Sequence, residues 1–381
     1  MQKKVAFLDF SPIFAGAERV LYNAIAHLDR SKYEPILVFP YPMEHQRRYS
    51  DLGCETIYLA KSKAWWMGSD RWAKPLRGTD FIKRVEFGRR LARLVRSRKI
   101  DIVDVNLLRR DVGMWVWATR RFTDAKIVGH YRSQSQGFVP PASAQKLFDV
   151  VACVSEFSRE RFRLGGVFTR SEVLYDSVDV DLMRCDKTPA QAKASLGYSP
   201  DDLLLVSVGQ LSLHKGHDTA IKAFSKILDT QPDARLLIAG GGSEELVSHY
   251  RSIAEELGIA DKVNIPGRQL SDIQIVYRAA DLTLSLTKVG EGFGLVPYES
   301  ALIGTPFIAP CFGAVKEFVT DGKNGLLVDT NNLEAVVDKV RFAITHPEQL
   351  GRMVKELQTV INGRLRPEIL SENLDKLYES L

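Results

Sequence analysis

Apolar residues follow two different periods along this chain. Short, nearly continuous apolar runs are typical of strands buried on both faces, and apolar residues at every third or fourth position are typical of helices with one buried face. In the first half, the runs predict strands at residues 5–10, 35–39, 102–105, 126–129 and 150–154. In the second half, they predict strands at residues 203–208, 235–239, 263–265, 282–286, 306–309 and 325–328. Strands that alternate with helices form parallel sheets, so the predicted fold class is α/β.

The order of strand, glycine-rich turn and helix occurs in both halves of the chain. One such turn precedes a predicted helix near Gly16, and another precedes a predicted helix after Gly216. A chain of 381 residues is long enough for two domains with separate cores. We therefore predict two doubly wound domains, at residues 1–185 and 186–366.

A glycine-rich turn with two glutamates follows the predicted strand at residues 282–286. Three glycines between residues 290 and 294 would let backbone N–H groups approach a ligand, and an apolar helix would begin near Leu295. Glu291 lies in the turn, and Glu299 lies about one turn into the helix. A carboxylate beside an anion-attracting helix start is suited to binding hydroxyl groups. The turn therefore predicts a ligand that carries both phosphate and sugar.

A second turn, at residues 209–216, contains Lys215 and follows the predicted strand at residues 203–208. The carboxyl ends of parallel strands border the crevice where open α/β sheets bind ligands. A lysine at this position would bind phosphate as a point charge.

Four segments of the chain resemble one family in the same order. Residues 209–216 resemble the motif G-R-L-x-x-x-K-G, and Glu291 to Glu299 resembles the motif E-x7-E, of the retaining glycosyltransferases of family four, which have the GT-B fold. Residues 304–306 and 321–328 resemble turns that follow the second motif, and residues 15–19 resemble the G-G-A-E-R loop of this family. The resemblance covers nearly the whole chain. It implies two Rossmann-like domains facing a central cleft, with a last helix, at residues 367–381, that returns to the first domain.

The resemblance also implies a function. The chain would transfer a sugar from a nucleotide-sugar donor with retention at the anomeric carbon, and a UDP-sugar is favoured over GDP-mannose. The second domain would bind the donor. The first would bind the acceptor, which we expect to be lipid-linked or a surface polysaccharide.

Individual residues take their expected roles from the same resemblance. It implies that Lys215 stabilises the charge on the leaving diphosphate, that Glu291 binds the donor sugar and that His130 lies near this sugar, so these three are the catalytic candidates. The other donor-binding candidates are Gly16, Gln210, Arg268, Phe293, Gly294, Leu295 and Glu299, the last of which would bind the ribose hydroxyls. Arg132 is a candidate for binding phosphate or the acceptor.

One position departs from the pattern of the family. Gln210 stands where the family has an arginine, so it can donate a hydrogen bond but supplies no charge. The usual pair of cations is therefore in doubt, and Lys288 or Arg268 could replace the missing one.

A metal ion is not expected. Asp179 and Asp181 form a D-x-D pattern, which in other glycosyltransferases holds a divalent ion. Here the pattern falls where this family has N-G-V-D between its domains. The resemblance therefore implies transfer without a metal or other cofactor.

Basic residues are concentrated in the first half. Residues 1–185 contain 32 Lys and Arg and 21 Asp and Glu, whereas residues 186–381 contain 20 and 26. Eight of these basic residues lie between residues 83 and 99, with Glu86 as the single acid. Apolar residues at 82, 85, 92 and 95 have nearly helical spacing, which predicts an amphipathic basic helix.

Aromatic residues accompany this positive charge, since all five tryptophans lie in the first half, at positions 65, 66, 72, 115 and 117. Basic and aromatic residues together favour an anionic membrane surface as partner. A solvated helix face and buried tryptophans are the alternative interpretations. Nucleic acid is disfavoured as a partner because no nucleic-acid-binding motif accompanies the basic segment.

The expected location is the cytoplasm, with peripheral attachment to the inner face of the cytoplasmic membrane. No apolar run reaches the roughly 18 residues that a spanning helix needs. The first ten residues have too short an apolar stretch for a signal peptide, and they end near Asp9. Four scattered cysteines, without the spacing of zinc sites, predict free thiols in a reducing compartment.

Other functions remain open. A sugar-nucleotide epimerase of the same fold would convert the donor without an acceptor. A membrane-associated scaffold without activity would keep the fold, but it would have no need of Lys215 or the two glutamates. A dinucleotide-dependent oxidoreductase is disfavoured because G-x-G-x-x-G does not follow the first predicted strand.

Overall fold

The structure, a computed structural model, describes residues 2–12, 14–60, 78–108, 112–132, 141–166, 169–268 and 270–381. Its contacts divide the chain into two compact units, residues 1–177 together with 367–381, and residues 178–366. The predicted domain boundary after residue 185 lies inside the second unit.

The described part of the first unit forms a sheet of seven parallel strands in the order β3-β2-β1-β4-β5-β6-β7. The strands are β1 Lys3–Leu8, β2 Tyr33–Phe39, β3 Glu55–Tyr58, β4 Ile102–Val105, β5 Lys126–Tyr131, β6 Val150–Cys153 and β7 Ser171–Val173. The helices between them are α1 Gly16–Ala26, α2 Gln46–Asp51, α3 Gly78–Arg98, α4 Val112–Phe122, α5 Ala142–Gln145 and α6 Glu156–Leu164.

The second unit, described except for Gln269, forms a sheet of six parallel strands in the order β10-β9-β8-β11-β12-β13. The strands are β8 Leu204–Val208, β9 Arg235–Ala239, β10 Val263–Asn264, β11 Leu282–Leu284, β12 Phe307–Pro310 and β13 Leu326–Val328. The helices are α7 Pro189–Ser195, α8 His217–Ile227, α9 Glu244–Glu256, α10 Ile273–Ala279, α11 Val296–Ile303, α12 Leu333–Thr345 and α13 Pro347–Arg364.

Both faces of the second sheet are buried. Leu205 of β8 packs with Ile221 and Phe224 of α8 on one face, and Val206 packs with Val276 of α10 on the other. Successive residues of a strand point to opposite faces, so a strand with helices on both sides must be apolar throughout. The predicted α/β fold with parallel sheets is confirmed.

Strands β3 and β7 were not predicted. Both lie at the edges of the first sheet, β7 has three residues, and neither contains a fully buried residue. Their short segments of mixed polarity give no apolar run. These two segments are strands because they pair with the rest of the sheet, and their own sequence pattern does not predict it.

The predicted basic helix is present as α3, but its buried face differs from the one expected. Phe87, Leu91, Ala92 and Val95 are buried, whereas Ile82 is 65% exposed. Of the tryptophans, Trp115 is fully buried against Phe10 and Phe87. Trp65, Trp66 and Trp72 lie outside the described residues. Trp115 therefore belongs to the core, as the alternative interpretation of the tryptophans as buried residues proposes.

The last helix, α14 Pro367–Glu379, packs on α1 within the first unit. Ser371 donates a hydrogen bond to the His27 carbonyl oxygen at 2.9 Å, and Tyr33 donates one to Asp375 at 2.6 Å. Helix α14 thus belongs to the same unit as β1 and α1. Among the described helices, none is long and apolar enough to cross a bilayer.

Candidate functional site

The strand order of the second sheet reverses between β8 and β11. The chain runs from β8 to β9 and β10 on one side, and then returns to place β11 on the other side of β8. Open parallel sheets bind ligands outside the carboxyl ends of the strands at such a reversal. Lys215 lies in the turn after β8, and Glu291 lies in the turn after β11. Their side chains form a half-buried ion pair, so the two motifs meet at this reversal.

Gly216 allows the turn that carries Lys215 to approach β11. Its φ is +72°, and a Cβ at this position would lie 1.8 Å from the carbonyl oxygen of Leu286. No side chain fits that distance, so the close approach of the two turns requires glycine.

Gly294 lies beside the Glu291 carboxylate. Its φ is +80°, which favours glycine, and an added Cβ would lie 2.8 Å from the Glu291 Oε2 atom. Leu295 follows as the residue that caps α11. Phe293 is 4% exposed and packs on Tyr298 and Phe318, so its ring anchors the turn in the core. Glu291 thus lies in a turn that Phe293 anchors to the core, and its side chain is 20% exposed.

Glu299 lies in the first turn of α11 and is 3% exposed. Tyr277 of α10 donates a hydrogen bond to its Oε2 atom at 2.8 Å. The hydrogen bond from a hydroxyl group fixes the orientation of this buried carboxylate. A residue that binds sugar hydroxyls requires such a fixed orientation. Sequence reasoning missed Tyr277 because nothing in the pattern links residues 22 positions apart.

His217, at the start of α8, contacts the turn that carries Lys215. Its Nε2 atom lies 3.4 Å from the Gln210 carbonyl oxygen, and its Nδ1 atom lies 2.9 Å from Ser207 Oγ. A carbonyl oxygen only accepts, so Nε2 carries the hydrogen and Nδ1 accepts from the Ser207 hydroxyl. Burial lowers the pKa of His217 to about 4, so the ring is neutral near pH 7. Its position directly after Gly216 was the sequence signal that could have identified it.

The residues considered as replacements for the missing arginine differ in their surroundings. Lys288 donates to Asp218 at 2.6 Å, and its backbone N–H donates to the His214 carbonyl oxygen at 2.8 Å beside the Lys215 turn. Gln210 and Arg268 are exposed. Lys288 therefore lies beside the predicted phosphate turn, with its charge paired to a carboxylate.

In the first unit, the loop after β1 leads into α1, which begins at Gly16. The Glu18 side chain accepts a hydrogen bond from the backbone N–H of Ala15 at 3.0 Å, which fixes the start of the helix. Burial and the charge of Asp9 raise the pKa of the Glu18 carboxyl. Asp9 in turn lies 3.2 Å from His45 Nε2. The loop at Gly16 is thus held by a buried polar cluster.

His130, on β5, is 6% exposed and is held from two other elements. Its Nε2 atom lies within 3.0 Å of the carboxylate of Asp104 on β4. Tyr378 of α14 donates a hydrogen bond to Asp104 Oδ2 at 2.7 Å. A carboxylate on one ring nitrogen fixes the tautomer and leaves Nδ1 as an acceptor. Sequence reasoning found His130 but not these two partners.

Arg132 forms a buried ion pair with Asp176, and its Nε atom donates to the Asn106 carbonyl oxygen at 3.1 Å. Burial, opposed by the charge of Arg132, raises the pKa of the Asp176 carboxyl. Asp176 lies in the segment that leaves the first unit. Arg132 therefore holds this segment, and its charge is balanced.

The D-x-D pattern has local partners in the structure. Asp179 accepts a hydrogen bond from the Leu182 backbone at 2.8 Å, and Asp181 pairs with Arg184 at 3.1 Å. Across the described ranges, no three His, Cys, Asp or Glu side chains form a group that could hold a metal ion. Transfer without a metal remains a prediction.

Several solved structures resemble this one over the whole chain. The Anabaena protein HepE, in complex with UDP and glucose, superposes with a TM-score of 0.82 at 17% identity, covering 100% of both chains. A glycosyltransferase from Rickettsia africae gives 0.81 at 16% identity, covering 100% of this chain and 98% of that one. Sucrose-phosphate synthase from Thermosynechococcus elongatus gives 0.79 at 18% identity, covering 100% and 99%. At these identities the likeness establishes the GT-B fold.

Curated relatives match part of the sequence. D-inositol 3-phosphate glycosyltransferase from Mycobacterium sp. (strain KMS) is 35% identical over 172 residues, 43% of this chain and 37% of the relative. The same enzyme from Corynebacterium glutamicum (strain R) is 33% identical over 191 residues, 48% and 46% respectively. The matched part spans less than half the length of these relatives.

Two family models cover both halves of the chain. Residues 14–182 match the model Glycosyltransferase Family 4, and residues 190–359 match Glycosyl transferases group 1. The matched ranges include Gly16 and His130 in the first unit, and Lys215, Glu291 and Glu299 in the second. The chain therefore belongs to the group 1 glycosyltransferases, with the GT-B fold of family four.

Proposed function

We propose that the protein transfers a hexose from a nucleotide-diphosphate sugar to a lipid-linked or surface-polysaccharide acceptor, with retention at the anomeric carbon. The donor is a UDP-sugar in preference to GDP-mannose. Transfer requires no metal ion. Lys215, Glu291 and His130 are the residues proposed to act on the reacting groups.

One observation carries this proposal, the ion pair of Lys215 and Glu291 at the strand reversal of the second sheet. An ammonium group beside a carboxylate suits a ligand with a diphosphate next to sugar hydroxyls. As the bond to the sugar breaks, negative charge builds on the diphosphate, and a cation already in position stabilises that transition state. The buried carboxylate of Glu299 would bind the ribose hydroxyls, and His130 Nδ1 would accept from a sugar hydroxyl.

The preference for UDP is supported by the structural neighbours. HepE has been crystallised with UDP-glucose, and a trehalose-6-phosphate protein from E. coli with UDP-2-fluoro glucose. The donor identity is tested by calorimetric titration of UDP and GDP, followed by a panel of nucleotide sugars with lipid-linked and polysaccharide acceptors, read by mass spectrometry. We expect UDP to bind at least tenfold more tightly than GDP and one UDP-hexose to give product. Tighter binding of GDP would overturn the choice of nucleotide, and NMR of the product gives its anomeric configuration.

The replacement of the family arginine by Gln210 is tested with the same titration. If the site has one cation fewer than its relatives, Gln210→Arg should leave UDP binding unchanged or tighten it. Lys288→Ala then identifies the substitute cation: a large loss of UDP affinity would assign that role to Lys288, and no change would remove it.

The membrane part of the proposal rests on α3. Arg89, Arg93 and Arg96 are spaced by four and three residues on its exposed face. Each basic residue near an anionic surface contributes about 1 kcal/mol of binding, which salt screens. Binding to vesicles of phosphatidylglycerol should therefore fall steeply with salt, and Arg89→Gln with Arg93→Gln should weaken it. Arg163→Gln with Lys222→Gln removes the same charge elsewhere and serves as the control.

An epimerase of the same fold is the second candidate, since it would share the Lys215 and Glu291 arrangement. It would convert a nucleotide sugar into its epimer without an acceptor. Incubation of the protein with each donor alone distinguishes the two functions, because an epimeric nucleotide sugar in the product would establish the epimerase. A scaffold would leave every donor unchanged with every acceptor.

A further inference from the structure

A cavity of about 580 Å³ opens at the amino ends of β1, β4 and β5 in the first unit. Its lining includes Lys3, Ile102 and Lys126, the first residues of these three strands. Gly16 follows β1, and His130 is the last residue but one of β5, so both lie toward the carboxyl ends of these strands. The cavity therefore opens at the ends of the strands opposite the candidate site of this unit, and Tyr378, which holds Asp104, is part of its lining. Its volume is in the range of small-molecule sites.

Four cations surround the opening, Lys3, Arg96, Lys99 and Lys126. Arg96 donates to the Phe122 carbonyl oxygen at 2.7 Å, and Lys126 lies 3.6 Å from Asp149. Within the described ranges, the ammonium groups of Lys3 and Lys99 have no hydrogen-bond or ion-pair partner, and both residues are exposed. Two of the four charges are therefore available to an anion.

Two acids also line the cavity. Asp101 accepts a hydrogen bond from the Lys4 backbone N–H at 2.7 Å, whereas the exposed Asp124 has no partner among the described residues. The side chains of the lining thus carry two more positive than negative charges. The Asp124 charge would repel a bound anion, so removing it tests whether the ligand is negatively charged.

Lys99 is held at the rim by an unusual backbone conformation. It is the one residue other than glycine with a positive φ in the described part of the chain, at +52°. Positive φ is uncommon for a lysine, and here it closes the last turn of α3, where the Ile100 N–H donates to the Val95 carbonyl oxygen at 2.9 Å. It ends α3 so that Arg96 and Lys99 both border the cavity.

Apolar side chains form most of the remaining lining, including Val95, Ile100 and Phe122, and Thr123 and Tyr378 complete it. The Phe122 ring is 47% exposed at the opening. A cationic rim above an apolar floor suits a ligand that joins a phosphate to hydrocarbon. Arg89 and Arg93 extend the positive charge from Arg96 along the exposed face of α3, as contact with an extended anionic surface requires.

We propose that this cavity binds the phosphate of an anionic phospholipid, with the glycerol and first acyl carbons against Phe122. The site rests on the membrane part of the proposed function and names the group that is recognised. It is a docking site at the opposite edge of the first sheet from His130.

The test uses the whole protein and two probes, dihexanoyl phosphatidylglycerol below its micelle concentration and vesicles of phosphatidylglycerol and phosphatidylcholine. Lys3→Gln with Lys99→Asn should weaken binding of the soluble lipid about 30-fold, since two charges are lost. Asparagine tolerates positive φ, so the fold is kept. Lys3→Arg with Lys99→Arg keeps both charges and should bind as the unaltered protein does. Asp124→Asn should tighten binding several-fold.

The outcomes separate the cavity from the rest of the membrane proposal. If the protein binds anionic vesicles but the Lys3 and Lys99 variant binds the soluble lipid unchanged, the cavity proposal is wrong and the α3 surface stands. If Asp124→Asn weakens binding, the anion does not occupy the cavity. If inorganic phosphate binds as tightly as the soluble lipid, the ligand is a free phosphate and the lipid assignment fails. UDP affinity should be unchanged in all these variants.

Discussion

Replacing Lys215 with alanine separates a role in charge stabilisation from a role in folding. The side chains of Lys215 and Glu291 are 26% and 20% exposed. An ion pair with this much solvent contact contributes about 1 kcal/mol or less to the free energy of unfolding. Losing one preorganised positive group at a developing anion costs about 3 kcal/mol in the transition state. At about 1.4 kcal/mol for each tenfold change in rate, turnover should fall about 10²-fold while stability changes little.

The assay is release of the nucleotide diphosphate from the donor identified by the titration panel, at saturating donor. Thermal unfolding of each variant measures the change in stability. Lys226→Ala is the matched control, because Lys226 lies on α8, which directly follows the Lys215 turn, and pairs with Glu334 at 2.7 Å. It removes the same charge and the same kind of ion pair away from the strand reversal. Its turnover should be that of the unaltered protein.

Glu291→Gln, alone and combined with Lys215→Ala, tests whether the pair acts as a unit. Side chains in contact give non-additive changes, so the double variant should lose less than the sum of the two single losses in activation free energy. A folded Lys215→Ala protein with turnover within about threefold of normal would refute the assignment of Lys215.

Three further predictions concern the partners of the site. The pKa of His217 falls from 6.5 to about 4 on folding, so its neutral ring contributes fully to stability above pH 6.5, and about 3 kcal/mol of that stability is lost as the pH falls toward 4. His217→Gln should therefore flatten the pH dependence of urea unfolding between pH 6.5 and 4, and an unchanged slope would contradict this. Tyr378→Phe removes the hydroxyl that holds Asp104 beside His130, so it should lower turnover several-fold and shift the pH profile of turnover. Tyr33→Phe is the control, because it removes a hydroxyl that binds the same helix through Asp375 and should change stability only. Equal kinetic effects of the two variants would contradict a role of Tyr378 in positioning His130. Glu299→Gln should weaken UDP binding about tenfold with little change in turnover at saturating donor, because a ribose contact is equal in ground and transition states, and the reverse pattern would show contact with the reacting sugar.

The sequence alone determined the class of fold and the positions of the two motifs. Continuous apolar runs such as the one at β9 arise because helices cover both faces of a parallel sheet. The local pattern therefore indicates how the strand is packed in the fold. Positive φ at positions 216 and 294 favours glycine, and at position 216 a Cβ would also clash with the Leu286 carbonyl oxygen, so glycine marks both turns in the sequence. Lys215 and Glu291 lie in these turns. These features are readable because each is encoded within a few consecutive residues.

The partners of the site residues were decided only by the tertiary structure. Asp104 and Tyr378 reach His130 from another strand and from the last helix, and Tyr277 reaches Glu299 from a neighbouring helix. The edge strands β3 and β7 and the buried face of α3 were likewise set by packing on elements far away in sequence. No local pattern carries such information, because a hydrogen bond between distant residues depends on how strands are ordered in the sheet and leaves no periodic trace in the chain.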